Sequence, residues 1–157
     1  MIANSPSPIS SNPSYVSPPT IQGQQTLVWA DPSTDPKAPS KQPQTADPRI
    51  ASAWTTAEAQ GSAFTIDINI NGGSTRQIAL YCTDWLGTGT VLERIEIFDS
   101  ADSSFSNPLD TREFKVPANG LYFVWKLSGH KVIRVSKPDA TASNKAMVSA
   151  IFFAPSS

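Results

Sequence analysis

The sequence predicts an all-β protein: an antiparallel β-sandwich or jelly roll of eight or nine strands, preceded by an extended proline-rich N-terminal arm. Three observations predict it. Ten of the 14 prolines lie at or before Pro48, and none lies between Arg49 and Asn107. A proline ring removes an N–H donor and fixes φ, so the proline-dense stretch can neither run as a helix nor pair as a central strand. Phe64, Ile66, Ile68 and Ile70 alternate with Thr65, Asp67 and Asn69, the period of a strand with one dry face and one wet face. Short apolar runs then recur between Gly, Pro and Asn turns, the spacing of a sandwich. The implied division is an arm over 1–48 with one short strand, and a sandwich domain over 49–157.

Each element follows from local chemistry. Residues 1–25 are rich in Ser, Pro, Asn and Gln, with Ile9, Tyr15, Val16 and Ile21 as scattered apolar anchors. Thr26–Ala30 is a short strand suited to an edge. From Asp31 to Pro48, Asp-Pro and Ala-Pro pairs repeat, and residues before proline are driven to extended geometry. Arg49–Trp54 is the next strand. Thr55–Gln60 is the one stretch suited to a single helical turn. The alternating strand ends at Asn71-Gly72-Gly73, where glycine supplies the positive φ of a tight turn. Gln77–Trp85 follows, with Ile78, Leu80 and Cys82 on one face. Val91–Asp99 alternates less cleanly, with Ile95 and Ile97 in phase. Thr111–Val116 stops at Pro117. Leu121–Leu127 is apolar on nearly both faces and reads as a central strand. His130–Ser136 and Lys145–Phe153 complete the set.

Composition excludes several function classes. Charged residues make up 16% of the chain and net charge is −1. The 12 Lys and Arg are scattered, whereas a nucleic-acid binder concentrates them on one face. No run approaches the roughly 20 apolar residues of a membrane-spanning helix. The opening residues carry neither a basic nor an apolar signal-peptide region. Cys82 is the only cysteine, so no intrachain disulfide forms.

Candidate chemistry is sparse. His130 is the only histidine and reads as a structural hydrogen-bonding group, since nucleophilic triads need specific partners around it. Asp67, Asp84, Asp99, Asp102, Asp110 and Asp139 show no pairing motif, and aspartate favours turns. The oxygen-rich stretch from Asp99 to Asn107 lacks the dense ligand spacing of an EF-hand. The chain is therefore read as a non-enzyme without metal or cofactor. Trp29, Trp54, Trp85 and Trp125 are the sugar-stacking candidates, because aromatic faces pack on apolar sugar faces while Asp, Asn or Arg bind hydroxyls. Trp125 is in phase with core residues. Trp85, in the Asp84-Trp85-Leu86-Gly87 turn, is the best placed, with Asp84 and Trp54 beside it as candidates. Arg112 and Arg134 read as surface pairs, and Cys82 as a small buried hydrophobe.

Arg49-Ile50-Ala51 with Trp54, Phe64-Thr65-Ile66-Asp67, Gln77–Cys82 with Asp84-Trp85, Leu109–Arg112, Tyr122 with Val124-Trp125, Gly129-His130, and Val148-Ser149 with Phe152-Phe153 form a recognisable series. Over Arg49–Phe153 the chain resembles an accessory β-sandwich module found at the C-termini of large bacterial secreted proteins. That resemblance implies carbohydrate binding or adhesion. The proline-rich arm stands where that module carries an aromatic, glycine-rich first strand. In design, an arm joined to a sandwich is similar to tailed-phage capsid decoration, or cement, proteins. The leading expectation is a capsid decoration protein on the virion surface. It would contact neighbouring subunits of a homo-oligomeric assembly through Ile9, Tyr15, Val16 and Ile21. The alternative is an extracellular glycan-binding module acting through Trp85, Asp84 and Trp54. Neither reading involves nucleic acid or a membrane.

Overall fold

A computed structural model describes residues 1–3, 12–41, 49–139 and 144–154. Among them are eleven strands: β1 (Thr20–Gln22), β2 (Gln25–Ala30), β3 (Ala51–Thr55), β4 (Ala63–Ile70), β5 (Arg76–Cys82), β6 (Leu92–Asp99), β7 (Asp110–Lys115), β8 (Leu121–Leu127), β9 (Gly129–Ser136), β10 (Met147–Val148) and β11 (Ala150–Phe153). All pairings are antiparallel. One five-stranded sheet runs β1-β4-β9-β6-β7, and two three-stranded sheets run β10-β3-β2 and β11-β5-β8. The all-β, antiparallel, sandwich-like architecture agrees with the sequence. The strand count of eight or nine is corrected to eleven.

The core forms where alternating faces meet. Phe64, Ile66, Ile68 and Ile70 of β4 point inward with Ile95 and Ile97 of β6 and Ile133 and Val135 of β9. They join one cluster with Ile78 and Leu80 of β5, Phe123 and Trp125 of β8, Met147 of β10 and Ile151 of β11. Each fully buried aliphatic side chain stabilises the fold by about 1.5–3 kcal/mol.

Three local expectations change. The helical turn at Thr55–Gln60 does not form. The Thr56 amide instead donates to the Ala146 carbonyl, and the Ala146 amide to Thr56 Oγ1, so this backbone is tied across the fold. The single strand expected over Lys145–Phe153 divides at Ser149, with β10 pairing β3 and β11 pairing β5. Finally, β8 is an edge strand rather than a central one. Its inner face is buried, but Tyr122 and Val124 face solvent, so apolar character on both faces here marks an uncovered surface.

The proline-rich segment contributes to two of the three sheets. Ile21 on β1 pairs with Ile66, and β2 lies beside β3 at a sheet edge. Tyr15 and Val16 are buried in the main core. The Tyr15 hydroxyl donates to the Ala154 carbonyl, and Arg76 lies over its ring at 4.5 Å. Ile9 lies outside the described residues.

Candidate functional site: an aromatic groove beside the proline-rich segment

The outer face of sheet β11-β5-β8 gathers three rings. Register places Tyr81 opposite Tyr122, and Ala79 opposite both Val124 and Phe152. Strand alternation turns all these side chains outward. Tyr81 and Tyr122 have ring centroids 4.6 Å apart, and Tyr122 and Phe152 5.9 Å apart, both tilted. Tyr122 is 58% exposed and Phe152 40%, whereas Tyr81 is buried. Exposed neighbouring aromatics are an unusual feature of a small soluble domain, where buried rings are the rule.

A stretch of the proline-rich segment makes these rings into a groove. Arg49 Nη1 donates to the Pro36 carbonyl at 3.1 Å and to the Ala38 carbonyl at 2.7 Å. The Ile50 amide donates to the Pro39 carbonyl at 3.1 Å, and Lys37 Nζ to the Ala118 carbonyl at 3.1 Å. Residues 36–40 are thereby held alongside the sheet. The resulting open groove, about 500 Å³, is lined by Pro36–Ser40, Arg49, Asn119 and the three rings. Its lining carries two cations, Lys37 and Arg49, and no carboxylate. Burial raises the Tyr81 phenol above its ordinary range, so this hydroxyl is a neutral donor at physiological pH.

Gly120 fixes the depth of the groove. It has φ of 78°, and a Cβ at this position would overlap the Tyr81 hydroxyl. Gly120→Ala is expected to displace the Tyr81 ring and to lower stability by more than about 1 kcal/mol, from left-handed strain alone. Urea unfolding monitored by tyrosine fluorescence checks this. An unchanged midpoint would show that the ring is not held there.

The residues singled out from sequence lie elsewhere. Trp54 is buried in the core. Asp84 is fully buried and organises its own turn. It accepts from the Leu86 and Gly87 amides on Oδ1, at 3.0 and 3.2 Å, and from the Thr88 hydroxyl and Gly89 amide on Oδ2, at 2.9 and 2.8 Å. Trp85 is half-buried. Its indole N–H donates to Ser149 Oγ at 3.1 Å, its ring meets Trp29 at 5.9 Å, and Lys37 Nζ sits 5.3 Å above it. The structure thus packs Trp85 against the core cluster that contains Trp54, and burial leaves Trp54 without an open face. Trp125 donates from its indole N–H to Asp110 Oδ2 at 2.6 Å, with Arg112 stacked at 4.6 Å.

No catalytic constellation assembles among the described residues. His130 Nε2 lies 2.8 Å from Asp67 Oδ1 on a solvent-facing surface. No group of three His, Cys, Asp or Glu is placed to hold a metal ion among the described residues. In the 99–107 loop, Asp102 accepts from the Ser106 and Asn107 amides and the Ser104 hydroxyl. These bonds hold its carboxyl below the usual range.

Sequence reasoning did not name Lys37, and it placed Arg49, Tyr81, Tyr122 and Phe152 only in the series that carries the resemblance, not among the sugar-binding candidates. Apart from that series, the outer-face register of Tyr81 and Tyr122 carried a signal. Strand alternation put both opposite the core-facing positions, yet their neighbourhood depends on β5 lying between β8 and β11.

No family model matches the sequence, and no curated protein matches it. Solved structures give remote likenesses. A family 61 carbohydrate-binding module in complex with β-1,4-galactotriose superposes with TM-score 0.48 at 10% identity, covering 89% of this chain and 90% of that one. A family 35 carbohydrate-binding module from Clostridium thermocellum gives TM-score 0.45 at 15% identity, covering 88% and 92%. The enzymatically active domain of bacteriophage CBA120 tailspike protein 4 gives 0.39 at 13% identity, covering 90% of this chain and 19% of that one. At such identities neither a ligand nor a family follows for this chain.

Proposed function

We propose that this chain is a non-catalytic carbohydrate-binding module, acting outside the cell, that holds a glycan in the groove of Tyr81, Tyr122 and Phe152. The observation that carries the reading is the adjacent exposure of Tyr122 and Phe152 on the outer face of sheet β11-β5-β8. Water leaves a ring readily when an apolar sugar face replaces it. The groove also offers polar side chains, Asn119, Ser40, Lys37 and Arg49, that can meet hydroxyls around the ring of a sugar. Its open shape suits a chain passing through rather than a molecule enclosed on all sides.

A capsid decoration role depends on an arm free to lace over neighbouring subunits. In this conformation Tyr15 and Val16 already belong to the chain's own core. That occupancy favours the glycan reading.

Affinity electrophoresis against a panel of neutral and acidic polysaccharides tests it. Tyr122→Ala is expected to weaken retention about tenfold, the equivalent of the ~1.5 kcal/mol that one aromatic contact supplies. Trp85→Ala provides the comparison. Loss confined to Trp85→Ala would move the site to the Trp29–Trp85 pair. A native protein retarded by no polysaccharide would end the reading.

A further inference from the structure

The sheet that carries the groove ends in a strand unlike the other sheet edges. Six strands lie at sheet ends: β1 and β7, β10 and β2, β11 and β8. Open edges present unpaired N–H and C=O groups, and soluble proteins protect them by shortness, charge, bulges or covering segments. β1 has three residues and β10 two. β2 has a register shift between Val28 and Ala30. β7 carries Asp110, Arg112, Glu113 and Lys115 among its six residues. β11 is covered by the opening residues, since Ile2 bridges to Ala150 and Met1 exchanges backbone hydrogen bonds with Ile151. Among the described residues β8 has none of these protections. It runs seven residues with one charge, Lys126, and among the described residues it has only β5 as a ladder partner. Leu121, Tyr122 and Val124 on it are exposed.

The sequence of β8 also matches itself. Laid antiparallel against a second copy about a two-fold axis at Val124, it pairs Leu121 with Leu127, Tyr122 with Lys126, Phe123 with Trp125, and Val124 with Val124. Every pair is favourable: apolar with apolar, aromatic with aromatic, and a cation beside a tyrosine ring. Like charges never meet. We propose that the chain self-associates through β8, a second copy adding its own β8 to form one continuous six-stranded sheet. A two-fold interface of this kind is closed, so association stops at the dimer. The two Tyr122 side chains then lie on the same sheet face, four residues apart along the strands, or about 14 Å. The dimer does not rest on the glycan reading. If both hold, one polysaccharide chain meets two grooves.

The test is the mass of the native chain by equilibrium sedimentation across a concentration series, beside Val124→Lys and Val124→Cys. The native protein is expected to reach a dimer mass. Val124→Lys, which sets two ammonium groups directly opposite each other, is expected to be a monomer at every concentration. Val124→Cys is expected to give an interchain disulfide on mild oxidation, because opposed residues of antiparallel strands lie within disulfide reach. Lys115→Cys on β7 is expected not to. Cys82 is buried and does not compete. A native chain that stays monomeric, or a dimer that persists in Val124→Lys, overturns the proposal. Should Val124→Lys fail to fold, the disulfide decides, and its absence in Val124→Cys overturns the proposal equally.

Discussion

Stability is expected to fall as pH rises from about 4.5 to 8, and replacing Glu93 with Gln is expected to remove most of that fall. Glu93 sits on β6 in phase with Ile95 and Ile97, so its carboxyl enters the core. It is fully buried, accepting from the Met147 amide at 2.8 Å and the Cys82 thiol at 3.5 Å. Burial raises its pKa to about 8, against a partial opposing effect of those two hydrogen bonds. The Cys82 thiol is itself pushed well up, first by burial and then by the neighbouring carboxylate. Between the two pKa values the folded chain holds a proton that the unfolded chain has released. Its contribution is therefore fully present below pH 4.5 and is lost as pH rises through 8. The shift corresponds to about 5 kcal/mol over that window. Gln keeps an acceptor for the Met147 amide and cannot ionise. Thermal unfolding of both proteins at acid and alkaline pH should show curves that cross or converge at low pH and separate at high pH, with Glu93→Gln the more stable. Parallel curves would show that this carboxyl ionises normally.

Asp84→Ala is expected to lower stability by about 4 kcal/mol. The carboxylate, itself fully buried, satisfies four donors of the exposed 86–89 turn. Removing it loses four hydrogen bonds to a charged group, each worth about 1.5–3 kcal/mol, with partial relief as water and a relaxed turn take over the donors. Gly87 and Gly89 both have positive φ, at 68° and 63°, so the turn has no conformation of its own to fall back on once the anion is gone. For a chain of this length that loss lowers the melting temperature by roughly 10 °C. Asp84→Asn should fall between, since its amide oxygen still accepts two backbone bonds. Denaturant unfolding measures all three. Equal midpoints for the native protein and Asp84→Ala would mean that the turn is solvated rather than closed. Glycan retention by folded Asp84→Ala then separates a structural aspartate from a ligand-binding one.

Much of the architecture was legible. The alternation of Phe64 to Ile70 specified β4 and its inward face, because a period of two admits one register against a core. Proline spacing marked a loop from Asp31 onward, and its described part, residues 31–41, belongs to none of the eleven strands. What failed depended on distant partners. Leu121–Leu127 has the composition of a central strand, and nothing within the strand reports that its second face lacks a cover. Glu93 shares the phase of Ile95 and Ile97, yet a carboxylate in a strand reads as its wet side, because ionised groups avoid the interior. β1 was missed because three residues beside Pro18 and Pro19 give too short a pattern. The site was less visible still. Arg49 closes the groove by reaching carbonyls of residues 36 and 38, and carbonyls leave no trace in a side-chain pattern.

The order in which the strands join sets how the chain must fold. Trp54 on β3 pairs with Val148, and Ile78 on β5 with Phe153. Both strands leave the ribosome long before their partners exist. Such distant closures place this topology among slow folders, since the entropy of closing a long loop is lost before any contact rewards it. β5 can meet β8 early, but its other flank stays open until the last strand arrives. Chaperone dependence and expression temperature should therefore govern the yield of this protein more than its final stability does.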